Sequence, residues 1–170
     1  MFLLAGCFWL LNFQVRKVYN LFPSYYWSYH LGRGAIGGNA AQSKKTIAIE
    51  LSNIGPLLRE GNDLVTIYGD VYCTLDQERY YWQQSFRGYD YFATFTEAQY
   101  RALIVLLRYL TARYEIPREL VPEDSRYAVS RDVPSFAGIV SHVNYRTTGK
   151  TDIGPAFDWQ RIADGLLEQH

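Results

Sequence analysis

The segment from Thr96 to Tyr114 constrains this chain more than any other. Thr96 and Gln99 form a capping-box pair, in which each side chain satisfies a backbone donor that the first helical turn leaves free, so a helix start is written at that point. Tyr100, Leu103, Leu107, Leu110 and Tyr114 then recur at helical spacing and define one apolar face. Ile116-Pro117 ends the element, because the residue before proline is pushed out of the helical region. A second helix is expected from about Phe157 to Glu168, where Trp159, Ile162, Ala163 and Leu166 give the i, i+3, i+4, i+7 stripe.

Two such helices need an apolar surface to lie on, and the remaining patterns supply strands. Arg16 to Phe22 alternates until Pro23 stops it. Thr46 to Leu51 (TIAIEL) is a short apolar, β-branched run whose one charge is Glu50. Leu64 to Thr74 holds one or two further strands, and Phe136 to Val140 (FAGIV) reads as a short central one; Asn53 to Gly61 has turn chemistry. Strands interleaved with core-covering helices predict an α/β fold, a mixed central sheet flanked by helices. A length of 170 residues suits a single domain spanning 1–170, with 1–15 as a divergent or truncated start.

Several function classes are disfavoured at once. The 17 basic and 17 acidic residues cancel, and no basic cluster offers nucleic acid a footprint. No run reaches the ~18–20 apolar residues that cross a membrane. The glycine-rich stretch Gly32 to Gly38 lacks phosphate-loop spacing. Cys7 and Cys73 fit no metal or redox spacing and are most simply free thiols. Leu4-Ala5-Gly6-Cys7 looks like a lipoprotein cleavage box, but no positive charge precedes it and the apolar stretch is too short; a buried first strand or an accidental start is the simpler reading. Localisation follows from none of these features. The 15 Tyr, 9 Phe and 4 Trp pack a core in the plain reading; in the functional one, some line a groove where sugar rings stack.

Chemistry gathers near the C-terminus. His142 follows the FAGIV run, and Asp152 stands ten residues later in a loop long enough to return to it. Imidazole and carboxylate are ordinary zinc ligands, although one of each is more often a solvated pair, because zinc needs several convergent donors.

The wording around these residues adds to the spacing. Ser141-His142 followed by Lys150-Thr151-Asp152-Ile153-Gly154-Pro155-Ala156-Phe157-Asp158-Trp159, the strand Thr46-Ile47-Ala48-Ile49-Glu50-Leu51-Ser52-Asn53, the turn Trp27-Ser28-Tyr29-His30-Leu31-Gly32, and Phe86-Arg87-Gly88-Tyr89 with Tyr91-Phe92 stand in order from about Lys17 to Leu167. In these four stretches the chain resembles the type 2 N-acetylmuramoyl-L-alanine amidases, a family that includes phage endolysins, bacterial cell-wall-recycling amidases and animal peptidoglycan recognition proteins. The resemblance implies an amidase/peptidoglycan-recognition-like fold, peptidoglycan or muropeptides as substrate, and Zn2+ as cofactor, in a monomer. It implies His142 and Asp152 as zinc ligands, and Lys150 as the group that stabilises the oxyanion. It further implies Glu50 as the carboxylate assisting water, and His30 as a substrate-side histidine. Trp27 and Tyr29, with Tyr25 and Tyr26, are expected to line a sugar-stacking groove.

One departure accompanies the likeness. The family's first zinc-ligand histidine ends a strand upstream of the one at Lys17 to Phe22, and His30, His142 and His170 are the histidines of this chain. Three readings follow: a zinc amidase, a module of the same fold that binds peptidoglycan without cutting it, or a truncated fragment without activity.

Overall fold

The computed structural model describes residues 2–3, 8–12, 17–22 and 26–167. The expectations placed on Cys7, the Leu4–Cys7 box, Tyr25 and His170 lie outside these residues. The described residues form an α/β domain with two sheets and three α-helices. The first sheet is mixed, as the sequence predicts. It contains β1 (Phe2–Leu3), β2 (Phe8–Asn12), β3 (Lys17–Phe22) and β4 (Ala48–Leu51) in the order β1-β4-β2-β3. β2 runs parallel to β4, and the other pairings are antiparallel.

The second sheet is wholly antiparallel and was not foreseen in full. Its strands are β5 (Pro56–Glu60), β6 (Asp63–Thr66), β7 (Val71–Thr74), β8 (Tyr81–Phe86) and β9 (Tyr89–Ala93), ordered β7-β6-β5-β9-β8. β5 occupies most of the Asn53–Gly61 stretch expected to be a turn. Pro56 is tolerated because it opens the strand, and the turn residues act only at the two ends, Asn53–Gly55 and Gly61–Asn62. β8 and β9 meet at a two-residue corner, Arg87-Gly88, with φ of 49° and 88°. Positive φ at both positions is the hairpin geometry that matches strand twist, and glycine takes the second without strain.

α1 (Asn39–Ser43) is a short helix before β4. α2 (Glu97–Arg113) begins at the expected capping box. Gln99 does more than cap: Oε1 accepts from Thr96 N at 2.6 Å, while Nε2 donates to Ser52 O at 2.6 Å, tying the helix start to the exit of β4. α3 (Trp159–Leu167) lies against α2. Tyr100, Leu103, Leu106, Leu107 and Leu110 of α2 pack with Trp159, Ile162 and Leu166 of α3 on Ile47, Ile49 and Leu51. Each buried leucine contributes about 2 kcal/mol of transfer free energy.

Strand alternation divides the environment of β4. Ile49 and Leu51 face the helices, whereas Ala48 joins a second cluster with Leu31, Val140 and Tyr145. Glu50 shares the parity of Ala48 and so stands on the face away from α2.

The expected central strand Phe136–Val140 does not form. Ile139 makes one parallel bridge to Leu120, with Ile139 N donating to Glu119 O at 2.7 Å and Val121 N to Ile139 O at 3.1 Å. Turns cut the pairing short on both sides. Pro122 leads into a 3-10 turn at Glu123–Ser125, and Ser141 caps another at His142–Asn144. Gly138 is required where it is, since a Cβ there would stand 2.5 Å from the Glu119 carbonyl oxygen.

Candidate functional site

His142 is held by a small turn with its own cap. Ser141 and Asn144 form a reciprocal capping box, and the buried Asn144 amide donates to Ser125 O and Ala128 O, both at 2.8 Å. The chain then loops out and returns, because Val143 N donates to Asp152 O at 3.1 Å. That backbone bond delivers the Asp152 side chain to the histidine.

The result is a close pair: His142 Nδ1 lies 3.0 Å from Asp152 Oδ2. On its other edge, His142 Nε2 lies 2.9 Å from Leu31 O. A carbonyl only accepts, so Nε2 carries the hydrogen. Holding the far nitrogen of a ligand histidine on a backbone carbonyl is the usual way a protein orients imidazole toward a metal. Nδ1 and Oδ2 are both electron-rich, and a positive charge must sit between them: a proton on Nδ1, or a cation in its place. Their separation is close to the ~3.3 Å edge of a tetrahedral ion with bonds near 2.0–2.1 Å. The two side chains therefore offer two donors of the kind a zinc-type ion takes, at a distance that a hydrogen bond also explains. Among the described residues, no group of three or more His, Cys, Asp or Glu side chains is arranged to hold one.

The electrostatics agree with a carboxylate kept ionised. Burial of Asp152 works against its charge, but opposing interactions, led by the His142 hydrogen bond, outweigh it and hold the carboxyl down at about 2. Lys150 adds a smaller pull of the same sign, and it is not among the residues lining the adjoining cleft. Glu50 and Asp152 line one cleft of about 90 Å3 together with Asn53, Phe92, Phe95 and Gly154. Asn53 secures the cleft's edge by donating to Ala93 O and Thr94 O while Gly55 N donates to its side-chain oxygen at 2.6 Å.

His30, Trp27 and Tyr29 are not among the residues lining that cleft. Thr46 Oγ1 gives its hydrogen to Gln42 O at 2.8 Å, so His30 Nε2 is the donor in its 2.8 Å bond to Thr46. Burial is the main reason His30 stays neutral, and the nearby His142 adds to it against the Ser28 carbonyl; its pKa falls to about 4. His30 still borders the site, since the next residue, Leu31, supplies the carbonyl under His142. Trp27 and Tyr29 meet edge to face at 4.7 Å, and Lys44 Nζ sits 4.8 Å above the Trp27 ring.

Arg87 carries a role that the sequence motif did not disclose. From the β8–β9 corner its guanidinium donates to Lys150 O at 2.5 Å, Arg146 O at 2.8 Å and Val143 O at 3.3 Å. One side chain thereby grips the loop between His142 and Asp152 at three points. The readable signal was the Arg-Gly pair between two aromatic-rich strands, which marks a hairpin corner but not where its side chain reaches.

With this geometry in place, comparison with known proteins becomes informative. The chain is similar to N-acetylmuramoyl-L-alanine amidase AmiD of Escherichia coli strain K12, at 28% identity over 147 residues. The match takes in 86% of this chain and 37% of that protein, so this chain spans little more than a third of its curated relative's length. No family model matches. No solved structure matches either.

Proposed function

We propose that this chain acts on bacterial peptidoglycan as an N-acetylmuramoyl-L-alanine amidase, with Zn2+ as its metal and His142 and Asp152 as two of the protein donors. One observation carries the reading: Nδ1 and Oδ2 converge at 3.0 Å while Nε2 is anchored on Leu31 O. The likeness to AmiD supplies the substrate class.

A bound zinc ion supplies Lewis acidity toward the amide carbonyl and toward water. The chain's own groups do the rest. Glu50, in the same cleft as Asp152, takes a proton from the attacking water and passes it to the leaving amine of L-alanine. The Lys150 ammonium offsets charge building on the carbonyl oxygen. Arg87 keeps the loop bearing Lys150 in place. His30, Trp27 and Tyr29 contact the substrate's sugar or peptide outside the cleft.

A second reading has its own support. With no group of three donors among the described residues, a module that binds peptidoglycan without cleaving it fits the same surface, because each missing ligand weakens zinc binding. Metal analysis and muropeptide digestion separate the two. About one zinc per chain, with release of the stem peptide from muramic acid, supports the amidase. Zinc below about a tenth per chain and intact muropeptides reject it, and retention on insoluble peptidoglycan then selects the binding module.

A further inference from the structure

A second depression adjoins the cleft, and the function proposed above makes no use of it. Its volume is about 360 Å3, against about 90 Å3 for the cleft, and sites for small ligands begin at roughly 300 Å3. Ala156 lines both. A second link is the β8–β9 register, where Trp82, in the depression, pairs with Phe92, in the cleft.

The lining combines a flat apolar face with fixed polar groups. Trp82 is 51% exposed, and its indole Nε1 donates to Gln84 Oε1 at 3.1 Å, which pins the ring and leaves its face open. The Arg126 guanidinium lies 5.9 Å from the ring of the buried Trp159, and Arg126 Nε is buried without a hydrogen-bond partner. A buried donor of that kind calls for an acceptor, which a water or a ligand hydroxyl can supply once the side chain turns toward the depression. Asp158, whose Oδ1 already accepts from Arg161 N, keeps a second carboxylate oxygen with capacity for a ligand, and Gln160, whose Nε2 donates to Asp164 Oδ1, keeps its amide oxygen. Acidic and basic groups are both present, so the depression has no preference for a polyanion.

We infer that this depression is a saccharide subsite, taking a pyranose ring with its C–H face on Trp82 and its hydroxyls on Arg126, Asp158 and Gln160. A sugar presents one apolar face and an equatorial belt of donors and acceptors, which this lining matches. The position beside the cleft assigns it to a neighbouring unit of the glycan strand; only that last step rests on the peptidoglycan reading.

The test uses the full chain and a β-1,4-linked N-acetylglucosamine trimer, which carries neither muramic acid nor peptide and is inert to an amidase. Titration followed by 1H–15N spectra should move the Trp82 indole and Arg126 Nε–H signals saturably, with a Kd near 1 mM. Trp82→Ala should weaken binding about tenfold or more, and Trp82→Phe should restore part of it. Absence of a saturable shift up to about 20 mM overturns the subsite. So does binding that Trp82→Ala leaves unchanged, or a shift at Trp82 produced by a stem tripeptide and not by the trimer. Loss of amidase activity with trimer binding intact would sink the amidase reading and leave the subsite standing.

Discussion

Arg87 Nη1 donates to the Lys150 carbonyl across 63 residues of chain, joining the β8–β9 corner to the loop that bears the candidate oxyanion lysine. Arg87→Ala should remove three hydrogen bonds at once and cost about 2 kcal/mol in denaturant unfolding. Faster amide exchange confined to 143–152 would mark the loosened loop. Arg87→Lys should recover less than half, since one ammonium cannot reproduce a planar fork. Unchanged exchange in that segment would show that the guanidinium does not hold it.

Asp152→Asn and His142→Gln should each lower affinity for Zn2+ or Co2+ about a hundredfold or more, measured calorimetrically on metal-stripped protein. Glu50→Gln and Lys150→Met should leave that affinity within about threefold while reducing muropeptide cleavage by ~10^2 or more. A parallel fall in metal binding would place Glu50 or Lys150 among the donors.

Gly165→Ala tests the contact between α2 and α3. A Cβ at Gly165 would sit 2.4 Å from Ile104 Cδ1, so the helices must part or Ile104 must leave its rotamer. The expected cost is about 1–3 kcal/mol. The double variant carrying Ile104→Val should regain part of the loss, which a thermal melt can read.

Alkaline pH should unfold the protein through its buried tyrosines. Burial, the largest influence, raises the Tyr100 phenol to about 12, above the ordinary 10. A group whose folded pKa is raised gives its full contribution below the unfolded value and loses it as pH climbs. Stability should hold steady below about pH 10 and decline from there to about 12. Tyr100→Phe should flatten this decline, at the expense of the 2.8 Å bond in which Asp158 N donates to the Tyr100 hydroxyl.

Legibility in the sequence followed how local each determinant was. α2 was readable because its cap, its stripe and its terminating proline all lie within the segment itself. β4 was readable because its β-branched run and lone carboxylate alternate. Asn53–Gly61 was misread because turn residues at its ends outweighed the short Leu57-Leu58 core of β5. FAGIV was apolar enough for a strand, but pairing depends on a partner, and the 3-10 turn at Glu123–Ser125 takes that partner out of register. In the site, the spacing of His142 and Asp152 allowed their meeting, while the agents that enforce it are distant in sequence: Leu31 beneath the imidazole and Arg87 on the loop. No local pattern announces a side chain that caps carbonyls on another element.

The division of β4 between two environments protects the location of Glu50. A slip of one residue would carry this carboxylate beneath the leucines of α2 and take Ile49 out of their cluster, an exchange opposed by several kcal/mol of lost packing and desolvated charge. Mutational drift on the exposed surface therefore leaves the carboxylate's address intact, whereas substitutions among Ile47, Ile49 and Leu51 endanger the placement of a group they never touch.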